Sequence, residues 1–117
     1  EVCIFLVHLS IKYRHRQYQL RYLHELVEKA TKPVIVAGDF NTFWGTHELY
    51  LFMRAAGLRS ANAPGLATYP AHAPRTELDF VLVSERIEVT DFRVPDVRLS
   101  DHRPLVCDFH VRAEGPA

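Results

Sequence analysis

The chain has 117 residues, 48% apolar and 24% charged, with 14 Lys and Arg balancing 14 Asp and Glu. This length suits one domain that buries roughly two-thirds of its unfolded surface, and zero net charge excludes a strongly basic protein held to nucleic acid by bulk charge. The longest apolar run, Val2 to Val7, falls far short of the ~20 residues of a membrane span; with no basic segment before it and His8 after it, it does not read as a signal peptide.

Residues Val2–Leu9 are rich in β-branched and aromatic types and read as a buried strand. Because that strand starts at the second residue, the chain reads as a segment of something longer. From about Arg14 to Ala30, apolar residues recur at three- and four-residue steps (Leu20, Leu23, Val27, Ala30), which is an amphipathic helix stopped before Pro33. Arg14, Arg16 and Arg21 fall on its expected solvated side. Pro33–Gly38 reads as a second short strand, and Asp39–Gly45 as a loop. Thr46 can cap a helix with Leu49, Phe52, Met53 and Ala56 as its apolar stripe, and Gly57 suits the left-handed position at its end.

Ser60 to Thr76 reads as loop, with a short extended piece near Thr68-Tyr69. Leu78–Val83, Ile87–Val94 and Pro104–Val111 read as strands, and Arg112–Ala117 as a frayed tail after a domain of residues 1–111. The order β-α-β-α-β-β-β predicts one mixed sheet with two helices on one face, an α+β or α/β arrangement. Strands apolar at successive positions imply that the other face also needs a cover, which the chain has no third helix to supply. Cys3 and Cys107 sit in apolar runs and read as buried thiols.

Polar residues punctuate the strand ends. His8 closes the first strand. Asp39 and Asn41 follow the second, in Gly38-Asp39-Phe40-Asn41-Thr42. Asp79 lies inside an apolar strand, where a lone carboxylate is costly and needs a partner; His102, in Ser100-Asp101-His102-Arg103-Pro104, is the candidate. Asp101 is a hard oxygen ligand suited to Mg²⁺ or Mn²⁺. Read alone, Asp39-Phe40-Asn41-Thr42 could be an Asx-type turn, Asp101-His102 a surface pair and His8 a core histidine. His15, His24, His47, His72 and His110 read as surface or structural residues.

Taken together and in this order, Val7-His8-Leu9, Gly38-Asp39-Phe40-Asn41-Thr42, Leu78-Asp79-Phe80-Val81-Leu82-Val83 and Ser100-Asp101-His102-Arg103-Pro104 resemble the C-terminal half of the exonuclease–endonuclease–phosphatase superfamily, the deoxyribonuclease I-like group. The resemblance implies half of a four-layer α/β sandwich and part of a divalent-metal-dependent phosphodiesterase or phosphatase. It implies catalytic His8, Asp39, Asn41, Asp79 and His102, with metal at Asp101 and Asp39 and Asn41 as further candidates. It places the principal metal-binding Glu in an N-terminal half outside this chain. The implied cofactor is Mg²⁺ or Mn²⁺, and the substrate a phosphoester of nucleic acid, phospholipid or sugar phosphate. Other expectations are an inactive fragment serving as an interaction module, or an unrelated α/β domain with structural acidic loops. Self-association, most simply as a homodimer, would hide the uncovered sheet face.

Overall fold

The computed structural model describes residues 1–43 and 45–113. The elements follow the expected order with one short strand, β3, added: β1 (Cys3–His8), α1 (Tyr13–Lys29), β2 (Val34–Asp39), α2 (His47–Ala56), β3 (Arg59–Ser60), β4 (Asp79–Val83), β5 (Ile87–Arg93) and β6 (Val106–Val111). Gly57 takes the left-handed conformation at the end of α2 (φ 69°), and Leu58 packs back onto the core. No helix among the described residues is long and apolar enough to cross a membrane. The Ser60–Thr76 loop holds its extended piece as a bridge between Tyr69 and Thr76. The tail from Arg112 lies partly outside the described residues; the Arg112 N–H donates to the Arg86 carbonyl at 2.8 Å.

Four strands form a sheet in the order β1-β2-β4-β3, with β1 parallel and β4 antiparallel to β2. The expected single mixed sheet is corrected here: among the described residues β5 and β6 pair only with each other, as a separate two-stranded sheet. The physical reason is edge occupancy. β4 is bonded on one side to β2 and on the other to β3, a two-residue strand that sequence reading placed at the edge of a loop. Asn62 prolongs that pairing through its side chain: Nδ2 donates to the Asp79 carbonyl at 2.9 Å, and Oδ1 accepts from the Val81 N–H at 3.0 Å. No edge of β4 is left for β5.

Alternation assigns each face. Phe5, Val36 and Leu82 share one register row, and Val7, Gly38 and Phe80 the next. These rows face α1 and α2, whose Leu20, Leu23, Val27, Leu49, Phe52 and Met53 complete the larger core. Both helices therefore lie on one face, as expected. Arg16 departs from expectation. It is buried at 3% exposure, because its guanidinium ties α1 to Glu48 of α2 and donates to the Ser10 and Ile11 carbonyls.

The opposite face carries the rows Ile4–Ile35–Val83 and Leu6–Ala37–Val81. It is not left bare: the β5–β6 hairpin packs Ile87, Val89, Phe92 and Cys107 against Ile35, Val81 and Val83. Only its β1 flank stays open, with Ile4 56% and Leu6 83% exposed. Cys3 and Cys107 are free and half-buried.

Gly38 is required where β2 passes β1. Its φ is 142°, and a side-chain carbon there would lie 1.9 Å from the Val7 carbonyl oxygen. The clash is with backbone, which cannot swing aside. Gly38→Ala is expected to destabilise the fold by about 1–3 kcal/mol or more, read as a lower denaturation midpoint. An unchanged midpoint would show that β1 can move away from β2 at little cost.

Candidate functional site

The third row on the hairpin-facing side of the sheet is polar. His8, Asp39 and Asp79 are register partners across β1, β2 and β4, so their side chains emerge on the same face, beyond the apolar rows. Phe40 alternates to the helix side and meets Phe80 edge to face at 5.9 Å. One residue of strand period thus separates a core aromatic from a site carboxylate.

The 101–103 loop delivers His102 to this row. Its Nδ1 hydrogen-bonds Asp79 Oδ2 at 2.7 Å, and its Nε2 lies 3.7 Å from Asp39 Oδ2. His8 Nε2 approaches the same Asp39 oxygen at 3.5 Å from the solvent side. Ligand atoms of Asp39, Asp79 and His102 lie within 4.8 Å of one another. A carboxylate only accepts, so Asp79 places the proton on Nδ1 and leaves Nε2 directed at Asp39.

Asn41 adopts φ 48°, a left-handed turn that asparagine tolerates. Its N–H donates to Asp39 Oδ1 at 2.9 Å, and its Nδ2 donates to the Leu9 carbonyl at 2.6 Å. Its amide oxygen is the part left for a ligand. Asp101 is exposed and accepts from the Ser100 hydroxyl at 3.1 Å. The loops close through the main chain: Ala71 N–H donates to the Asp101 carbonyl at 2.7 Å, and Arg103 N–H to the Thr68 carbonyl at 2.8 Å. Arg103 Nε also donates to the Ala71 carbonyl at 2.8 Å.

Burial pushes the Asp39 carboxyl above its ordinary range; the Asn41 N–H opposes this and the Asp79 charge adds to it. For His102, burial acts against the imidazolium, but the Asp79 hydrogen bond and the charges of Asp79, Asp39 and Asp101 outweigh it, and its pKa rises above 6.5. The site therefore pairs a carboxyl and an imidazole that are both shifted toward their proton-bearing forms, a combination suited to proton transfer.

As a cation site the donors are unequal. Asp79 Oδ2 already accepts from Thr68 Oγ1 and from His102 at 2.7 Å each. Asp39 and Asp101 are the hard oxygen donors with capacity to spare. Sequence reasoning missed Thr68, Asn62 and Tyr69, whose ring lies 5.1 Å from that of His102. The proline-rich loop that carries them has no period to mark them. Among the histidines set aside, His24 contacts the Ala55 carbonyl at 3.1 Å and His110 pairs with Glu88 at 3.1 Å, both away from the site.

Residues 4–102 match the family described as Endonuclease/Exonuclease/phosphatase. The uncharacterized protein YbhP of Escherichia coli K12 is 33% identical over 118 residues, covering 92% of this chain and 46% of its own length. An endonuclease/exonuclease/phosphatase family protein from Bacteroides thetaiotaomicron superimposes with TM-score 0.75 at 20% identity, over 91% of this chain and 48% of that one. A mannosyl-6-phosphatase from the same species gives 0.70 at 21%, over 92% and 50%. These two likenesses are of fold. The chain spans about half the length of the curated relatives it matches.

The electrostatics predict a titration. In the metal-free chain, NMR titration of His102 is expected to give a pKa above 6.5, and Asp79→Asn to lower it, since burial then acts with less opposition. The sign for stability follows: with the folded-state pKa raised, the Asp79–His102 contact contributes fully below the unfolded value and is lost as pH rises through the folded one. An imidazole pKa indifferent to Asp79→Asn would show that the contact does not hold the charge.

Proposed function

Since the chain belongs to the Endonuclease/Exonuclease/phosphatase family, we propose that it is the C-terminal, site-bearing part of a divalent-metal-dependent phosphoester hydrolase. The observation that carries this reading is the Asp79–His102 pair facing Asp39 across 3.7 Å. Hydrolysis adds water to phosphorus and breaks a phosphorus–oxygen bond, so the site must align a water, stabilise charge on the phosphoryl oxygens and move protons. Asp39 aligns the water and takes its proton. Protonated His102, oriented by Asp79, donates to a phosphoryl oxygen. Asn41 offers its amide oxygen, and His8 stands open on the leaving-group side.

Asp101 would hold the cation in this reading, with Asp39 and Asn41 as further candidate donors, and Mg²⁺ or Mn²⁺ would suit these hard donors. A bound divalent ion would supply charge neutralisation at the phosphate. Nucleic acids, phospholipids and sugar phosphates all present the required group, and the proposal is made for phosphoesters as a class.

In the full-length protein, His102→Ala and Asp39→Asn are each expected to lower turnover roughly 10²–10⁴-fold, with a smaller loss for Asp79→Asn, which mis-orients His102 without removing it. Wild-type rates in His102→Ala would place phosphate handling elsewhere. Of the isolated chain's site carboxylates Asp39, Asp79 and Asp101, only Asp101 is exposed, and one or two carboxylates without substrate phosphates hold Mg²⁺ weakly. Calorimetry is therefore expected to show weak Mg²⁺ binding and kinetics at most weak hydrolysis; tight stoichiometric binding would overturn this ligand assignment.

The open strip of Ile4 and Leu6, together with the unpaired outer edge of β1, supports a second element of the reading. In the whole protein an N-terminal half covers it, in keeping with the half-length match to relatives. In the isolated chain a second copy takes its place as a homodimer. Size-exclusion chromatography with light scattering is expected to show a dimer, converted to monomer by Leu6→Glu. A well-folded wild-type monomer at high micromolar concentration would refute it.

A further inference from the structure

Thr68 sits in the long loop between β3 and β4 and is fully enclosed, at 0% exposure. Its hydroxyl lies 2.7 Å from Asp79 Oδ2 and 3.3 Å from the Leu78 nitrogen. The Leu78 N–H occupies a lone pair on Oγ1, and Asp79 can only accept, so the single hydroxyl proton points at Asp79. The main chain of the same residue reaches the other half of the site: the Thr68 carbonyl accepts from the Arg103 N–H at 2.8 Å, next to His102. The Thr68 N–H is bonded to the Thr76 carbonyl at 3.0 Å, which anchors the residue within its own loop.

We propose that Thr68 is a positioning residue that sets both ends of the Asp79–His102 hydrogen bond, the carboxylate through its hydroxyl and the histidine loop through its carbonyl. The physical need is clear at Asp79. A carboxylate turns over a broad range about its last torsion, and Asp79 Oδ2, 2.7 Å from Nδ1, must stay within hydrogen-bond reach to fix the imidazole tautomer. A β-branched threonine has few rotamers open to it, and enclosure leaves no water to replace its hydroxyl. The hydroxyl therefore acts as a rigid pin on the carboxylate, at the same Oδ2 that accepts from the imidazole. Loss of the pin frees the carboxylate to turn and loosens the Nδ1 proton, while the Thr68 carbonyl still holds the loop.

The test uses the metal-free chain with ¹⁵N-labelled histidine. The His102 Nδ1 proton is expected to be observable and slow to exchange in the wild type and in Thr68→Ser, which keeps the hydroxyl. In Thr68→Val, close in shape but without the donor, the signal is expected to broaden or vanish while circular dichroism still reports the folded chain. A wild-type signal and exchange rate in Thr68→Val would overturn the proposal. Should Thr68→Val fail to fold, Thr68→Ser decides alone: loss of the signal there would show that the methyl group and packing, not the hydroxyl, matter.

A second readout rests on the phosphoester hydrolase reading. In Mg²⁺-dependent hydrolysis of bis(p-nitrophenyl) phosphate by the full-length protein, Thr68→Val is expected to lower kcat roughly 10–100-fold, as loss of an orienting partner does, with KM unchanged and activity restored by Ser. Equal rates in Val and wild type would count against the proposal. No hydrolysis by the full-length wild type would count against the hydrolase reading, and the proton signal would then judge Thr68 by itself.

Discussion

The approach of β1 to β2 at Gly38 is the constraint on which the rest depends. A side-chain carbon at this position would overlap the Val7 carbonyl, so the parallel pairing survives to its last rung only with glycine there. That rung is His8 opposite Asp39. The same register, carried across β2, sets Asp79 beside Asp39. One missing side chain thus allows three polar residues from three distant parts of the chain to stand in a row.

The row sits at the end of a face whose other positions are apolar. Ile35, Val81 and Val83 are buried under the β5–β6 hairpin, while Asp39 and Asp79 keep 16% and 15% side-chain exposure. The apolar rows lower the local dielectric without closing the site to water, so each hydrogen bond there counts for more than in solvent. Burial raises the Asp39 carboxyl, while on His102 burial favours the neutral imidazole and the Asp79 hydrogen bond with the charges of Asp79, Asp39 and Asp101 outweighs it, so its pKa is raised. A buried carboxylate needs such a partner to be tolerated, and the catalytic geometry proposed here is one way of supplying it.

The two sheets divide the work. Helices α1 and α2 cover one face of the four-stranded sheet and are tied together by the buried Arg16 paired with half-buried Glu48. The β5–β6 hairpin covers part of the other and carries the chain on to the His102 loop and back. His102 is held by that loop's two main-chain bonds to the 68–71 segment, so the histidine depends on contacts between two irregular segments, braced by a rigid sheet on one side.

The sequence by itself determined the order of the longer elements, the two-helix face, the left-handed end of α2 and the pairing of Asp79 with His102. These are local matters, or follow from one strong rule. Periodicity separates helix from strand, and a carboxylate inside an apolar strand demands a partner. The motifs around Gly38, Asp79 and His102 also carried the family resemblance. Tertiary structure alone decided that β5 and β6 form their own sheet, that Arg16 is buried, and that Thr68 and Asn62 brace Asp79. Each of these depends on which edge is already occupied or which group lies opposite in space. A two-residue strand such as Arg59–Ser60 has too few residues to show a period, yet by taking the free edge of β4 it redirects everything after residue 83. Thr68 likewise looks like any threonine in a proline-rich loop until folding closes it over Asp79.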